Sequence, residues 1–196
     1  MKLYKFRPLL TCCNYDRVIS IIRDGFYCCR FLDFNDVNEG VFPVTKHNYN
    51  VELRDKLEYR ICSFAAEEAL SRQLMWGHYA EAGMGVAIEV MVDPVSPFER
   101  VHYDPTNRHN NLIEILTNKS SEWKHEEEWR YLSTSPDQYL KKKITKIYFG
   151  TPYQRLTNYT DIKTKHNRLK EYLRRATALR AECVKHNIAH EDYQFA

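Results

Sequence analysis

Polar and apolar positions alternate along Lys2–Arg7 (KLYKFR), which predicts a strand ended by Pro8. Val18, Ile21 and Ile22 then fall on one helical face, with Asn14 as the expected N-cap and Gly25 as the stop. FYCCRF at 26–31 predicts a second strand, followed by a polar turn through Asn35, Asp36, Asn38, Glu39 and Gly40. Helix is expected over 50–60 and a buried strand over 59–65 (YRICSFA). Helix formers run from Glu67 to Ala82 and put Leu70, Leu74 and His78 near one face. Gly83 and Gly85 break that helix before the strand GVAIEVMV. A loop through Pro94 and Pro97, a short strand at 100–103 and a helix at 110–118 come next. EWRYLS (128–133) and ITKIYFG (144–150) predict two more strands, and a long helix over 161–186 precedes a short tail. The pattern has no repeat and no Pro/Gly-rich linker, so it predicts a single α+β domain, residues 1–196, with a mixed or antiparallel sheet and flanking helices.

Composition narrows this little: 196 residues with 43 % hydrophobic and 28 % charged side chains suit one globular core. No apolar run approaches the roughly 20 residues that span a bilayer. Lys2, Lys5 and Arg7 interrupt what a signal peptide would keep apolar, so a cytoplasmic protein with no membrane partner is expected. Charge changes the picture more. The net +3 conceals a block, residues 139–186, with thirteen Lys and Arg against three Asp and Glu. Such a block attracts phosphate backbones, or is the solvated face of a helix. Arg168, Arg175 and Lys185 lie along roughly one stripe and are the candidate contacts to RNA or DNA. Leu169, Leu173, Ala176 and Leu179 would bury the opposite stripe. The six cysteines include two vicinal pairs, Cys12-Cys13 and Cys28-Cys29, whose spacing does not suit a tetrahedral metal. They are expected to be small buried hydrophobes without disulfides.

Candidate chemistry is sparse. Gly83-Met84-Gly85 follows a helix and enters a strand, the reverse of a dinucleotide fingerprint, and is a turn. Glu126, Glu128 and Arg130 would share one face of an extended strand. Two carboxylates so close repel unless a cation compensates, and Arg130 is the available one. The group suits acid/base work, metal ligation or holding a ribose hydroxyl; alternatively it is a solvated acidic strand edge. Met75-Trp76-Gly77-His78-Tyr79 offers flat rings for stacking and an imidazole for a phosphate or hydroxyl. The competing reading makes Trp76 and Tyr79 core anchors with His78 at the rim.

LYKFR at the start, FNDVNEG at 34–40, MWGHYAEAGMGVAIEV at 75–90 and the run Lys119, Trp123, Glu126, Glu128, Trp129, Arg130 occur in one order. In that order they resemble a bacterial domain-of-unknown-function family, the one numbered twenty-nine seventy-one. The resemblance spans residue 3 to about 150, with Val37 where the family commonly has proline, and leaves the basic helix outside it. Some members of that family are associated with phage-abortive systems, and its strand order is similar to the ADP-ribosyltransferase fold. The resemblance implies a basic residue on the first strand (Lys5 or Arg7), a Ser or Tyr on a central one (Ser63 or Tyr79) and a late glutamate, Glu128. Tyr4-Lys5 stands where many such transferases have Tyr-His, and Glu126-x-Glu128 resembles their two-glutamate motif. The implied activity is mono-ADP-ribosyl transfer from NAD to nucleic acid or protein, by a toxin or defence effector with a possible antitoxin partner. Glu128 would hold the ribose hydroxyl, Glu126 would orient the acceptor, and Lys5 or Arg7 would bind the pyrophosphate. Trp76 or Tyr79 would stack on a ring. The alternatives are a non-catalytic nucleic-acid or partner-binding module resting on the basic block, and, more weakly, a Mg²⁺ nuclease.

Overall fold

The computed structural model describes residues 1–33, 49–93, 97–103, 111–153, 160 and 166–195. The FNDVNEG motif, Lys163 and Lys165 lie outside them, as does the start of the long helix expected over 161–186.

Strand β1 (Lys2–Pro8) forms the middle of a seven-stranded sheet, with Leu3 buried on one face and Tyr4 and Phe6 on the other. Along one edge it pairs antiparallel with β4 (Gly85–Met91) over its whole length, from Lys2↔Met91 to Pro8↔Gly85. Along the other it meets β3 (Arg60–Ala65) at Tyr4↔Ala65 alone. Outward from β3 run β6 (Glu128–Ser133) and β5 (Phe98–Arg100), and outward from β4 runs β8 (Ile144–Phe149). The tail contributes β9 (Ala189–Asp192), parallel to β8, so the sheet is mixed and the fold is α+β. A parallel neighbour needs a long crossover, and helix α6 (Asn167–Lys185) lies within it. A two-stranded ribbon pairs β2 (Phe26–Tyr27) with β7 (Tyr139–Leu140).

Two apolar layers hold helices to the sheet. On one side α1 (Cys12–Arg23) and α6 cover Leu3, Val86, Ile88, Val90, Ile147 and Phe149. Leu169, Ala176 and Leu179 are buried there, as the stripe predicts, and Leu173 is partly buried. On the other side α3 (Glu67–Leu70) and α4 (Gln73–Tyr79) cover Tyr4, Phe6, Ala65 and Ala87. Helix α2 (Tyr49–Glu58) precedes β3, and α5 (Leu112–Leu116) precedes the β6 segment. Among the described residues no helix is long and apolar enough to cross a membrane.

Several elements depart from the pattern. The cap of α1 is Thr11, whose hydroxyl accepts from the Asn14 N–H at 3.2 Å, so the helix starts earlier than Asn14 and Cys12 and Cys13 are exposed. Gly25 follows its end at φ +109°, and a Cβ there would lie 2.7 Å from the Leu140 carbonyl oxygen of β7. The strand expected at 26–31 shortens to two residues because Arg30 and Asp33 close a turn: Asp33 N–H bonds the Arg30 carbonyl, and its carboxylate accepts from Arg30 N–H. The helix expected over 67–82 splits where the Ser71 hydroxyl bonds the Glu68 carbonyl, and ends before Glu81 and Ala82, both at positive φ. Leu74 is 54 % exposed, not on the buried face. The tail pairs as β9 because β8 otherwise presents an open edge.

Trp76 is 1 % exposed, packs edge-on to Phe6, stacks on Tyr193 and donates its indole N–H to the Leu70 carbonyl at 2.9 Å. Trp76→Ala is expected to cost about 3–5 kcal/mol. Chemical denaturation followed by circular dichroism checks this, and a midpoint within error of wild type would show that Trp76 is no anchor.

Candidate functional site

Beyond Tyr4↔Ala65, β1 and β3 separate, and a cleft of about 250 Å³ opens in the seam. Tyr4, Lys5 and Arg7 line it from β1, Ser63 and Cys62 from β3, Tyr79 from α4, and Lys119, Glu126 and Glu128 from the far wall. Seven of the nine residues that the sequence offers for a small-molecule site therefore meet here. His78 does not: it is exposed outside the cleft, with its ring 6.2 Å from that of His125. Trp76 lies in the core, which leaves Tyr79 as the ring of that motif that reaches the cleft.

The acidic wall is built differently from a continuous strand. A 3-10 turn runs Ser121–Glu126, Glu127 adopts φ +45°, and β6 begins at Glu128. The left-handed residue turns the chain so that both flanking carboxylates reach one cation. Lys119 Nζ lies 2.6 Å from Glu126 and 3.2 Å from Glu128. Arg130 Nε donates to Glu128 Oε1 at 2.9 Å and Nη2 donates to Oε2 at 3.2 Å, while Nη1 donates to the Leu116 carbonyl. Tyr103 accepts from the Glu128 N–H at 2.9 Å. The expectation of a solvated acidic edge is thereby corrected: Glu126, Glu128, Lys119 and Arg130 are all buried. Glu127 alone faces outward, pairing with Arg72 and Arg100.

Electrostatics follow from that packing. Burial alone would raise the Glu128 carboxyl, but the charges of Arg130 and Lys119, helped by the hydrogen bonds from Arg130, hold it well below the usual carboxylate range. Tyr79 donates its hydroxyl to Glu126, and burial together with that carboxylate pushes its phenol up, so it remains a donor. Tyr4 presents its ring to the cleft while its hydroxyl is held by Glu89 at 3.1 Å.

The opposite wall is cationic. Lys5 donates to the Ser63 carbonyl at 2.5 Å across the seam, and Arg7 Nε is buried with no hydrogen-bond partner among the described residues. Neither forms an ion pair with a carboxylate among the described residues. Burial lowers both, and each is further lowered by a neighbouring cation, Arg7 beside Lys5 and Arg17 beside Arg7. A wall of this kind is suited to an anion, since a phosphate oxygen would satisfy the Arg7 donor and offset the desolvated charge. The acidic wall is self-neutralised, its carboxylates fixed in direction but already accepting from two cations.

The basic helix is a different case. Arg168 pairs with Glu81 at 2.6 Å, and Arg175 pairs with Glu171 at 2.9 Å while donating to the Leu10 carbonyl. Lys185 lies 3.8 Å from Glu182. Arg175 is turned toward α1's entry, not along an open stripe with the other two. Sequence reasoning missed the role of Lys119: it stands in a loop, where no periodicity reports its direction.

Glu128→Gln would leave Lys119 and Arg130 buried beside a neutral amide, and is expected to destabilise the fold by about 3–5 kcal/mol. A carboxyl held low in the folded state contributes stability above its unfolded value near about 4.3, lost as pH falls through the folded value. Wild type should thus show a steep acid limb below about pH 4 that flattens in Glu128→Gln. Denaturation midpoints across pH test this; equal stability and parallel acid limbs would contradict the buried cluster.

No family model matches this chain, and no curated protein or solved structure matches it either.

Proposed function

We propose that the chain is an NAD-consuming mono-ADP-ribosyltransferase of the domain-of-unknown-function family it resembles, acting on nucleic acid or protein as a toxin or defence effector. The observation that supports this most is the meeting, in one cleft, of two cations that form no ion pair with a carboxylate among the described residues and two fixed carboxylates. NAD carries a diphosphate for the first and a ribose hydroxyl and nascent cation for the second. Lys5 and Arg7 would hold the diphosphate. Glu128, clamped by Arg130, keeps acceptor capacity on Oε1 for a ribose hydroxyl. The bond that breaks joins the ribose C1′ to the nicotinamide nitrogen; positive charge develops on the sugar, and nicotinamide leaves neutral. The acceptor's hydroxyl or amine then bonds to C1′ and gives its proton to Glu126, which hydrogen bonds from Lys119 and Tyr79 hold in place.

A binding module built on the basic helix has less support, because Arg168, Arg175 and Lys185 each have an acidic partner. A Mg²⁺ nuclease has less as well, since both carboxylates already accept from ammonium or guanidinium groups.

Incubation with labelled NAD, alone and with total RNA, DNA or lysate, tests the reading. Wild type should transfer label to one acceptor class. Glu126→Gln should slow transfer about a hundredfold or more with its circular dichroism intact. Arg7→Gln should weaken NAD binding by roughly tenfold or more. Absence of both NAD binding and transfer in every acceptor pool would overturn it.

A further inference from the structure

Cys62, which lines the cleft, has a second buried thiol, Cys28, aligned with it by the backbone around them. Cys29 and Ile61 exchange both main-chain hydrogen bonds, at 3.0 and 2.8 Å, and form an antiparallel bridge. The next pair in such a ladder is Cys28 with Cys62, a non-hydrogen-bonded pair in which Cα atoms approach to about 4.5 Å. A second contact reports the same register: Phe26 and Phe64, two residues further along each chain, meet edge-on with ring centroids 5.1 Å apart. Cys28 and Cys62 lie between these fixed pairs and on the phenylalanines' face. Both are free thiols and both are buried in one apolar cluster. Disulfides bridge Cα atoms about 4.4–6.8 Å apart, so this pair can close without moving either chain far. Cys29 sits on the opposite face and points its thiol at the Ile61 carbonyl, 3.5 Å away.

The two thiols are also chemically unequal. Cys62 lines the cleft beside Lys5 and Arg7, whereas Cys28 lies behind it. The neighbouring Cys28 thiol, then the charges of Lys5 and Arg7, lower the Cys62 thiol against its burial. Cys28 donates its own thiol to the Phe26 carbonyl at 3.5 Å, and the adjacent Cys62 and burial push it up. Cys62 is the attacking sulfur and Cys28 the resolving one.

We propose that Cys28 and Cys62 are a redox-active dithiol, a modification site that takes a small organic disulfide entering through the cleft. The Cys62 thiolate attacks one sulfur of the disulfide, forming a mixed disulfide and expelling one thiolate. The expelled thiolate takes the Cys28 proton, and Cys28 attacks the Cys62 sulfur, expelling the second thiolate and leaving the Cys28–Cys62 disulfide. The incoming disulfide is reduced to two thiols and the protein dithiol is oxidised. Closure converts an anionic neighbour of Lys5 and Arg7 into a neutral group and so raises the positive charge of the cleft.

The site does not depend on the activity proposed above, and its test involves no NAD. The full-length protein is incubated with glutathione disulfide, unreacted thiols are blocked with N-ethylmaleimide, and peptides are mapped by mass spectrometry without reduction. Wild type and Cys29→Ser should both yield a linked Cys28–Cys62 peptide. Cys28→Ser should stop with glutathione on Cys62. A map in which only the exposed Cys12 and Cys13 react, or in which Cys62 links to Cys29, would overturn the proposal. Should Cys28→Ser fail to fold, the wild-type and Cys29→Ser maps decide it.

Discussion

The bidentate pairing of Arg130 with Glu128, closed by Lys119, is the interaction on which the region around the cleft depends. Arg130 and Glu128 are two residues apart on β6 and so lie on the same face. Arg130 also takes the Leu116 carbonyl at the end of α5, which ties that helix to the sheet. Lys119 carries the charge balance across the turn to Glu126, and Glu126 in turn holds Tyr79 of α4. Four ionised side chains buried together are costly to desolvate, and only near-complete mutual hydrogen bonding makes such a cluster tolerable. That requirement fixes the segment from α5 to β6 in one arrangement, with both carboxylates facing the seam.

The seam itself follows from how β1 is shared. It pairs with β4 along all seven residues, and that strand is buried nearly throughout. Toward β3 it pairs once, and Lys5 then takes the place of the missing ladder by donating to the Ser63 carbonyl. A backbone acceptor that a neighbouring strand would ordinarily satisfy is thus satisfied by a side chain, which keeps the gap open without leaving that oxygen bare. The same substitution brings a cation into the interior. Arg7, two residues on, shares its face and lies beside the seam for the same reason.

What could be read from the chain divides by physical cause. Strands β4 and β6 follow from alternation or continuous apolarity, which their burial demands, and β6 occupies the expected Glu128–Ser133. The exposed positions of Cys12, Cys13 and Leu74, and the pairing of the tail as β9, depend on caps and open edges that no local pattern records. At the site, Glu126 and Glu128 were singled out on the assumption of one continuous strand, yet a left-handed Glu127 brings them together. The residues converge although the local geometry differs, because the constraint is a shared cation, not a shared strand. That cation, Lys119, comes from a loop, so only the three-dimensional fold reveals it.

The largest charge feature of the sequence and the most consequential one in the fold are not the same. The basic block on α6 dominates the composition, but its arginines face solvent or meet Glu81, Glu171 and Asp192, where water and counter-charges damp their field. Lys5 and Arg7 contribute two charges that composition scarcely registers, in a strand that otherwise looks like core. Buried beside a cleft, with no carboxylate ion-pair partner among the described residues, they act through a lower effective dielectric and with less screening. An anion entering the seam would regain what burying those two groups cost. One settling on α6 would have to displace an ion pair that already exists. That difference is why the proposed ligand site is the seam and not the helix.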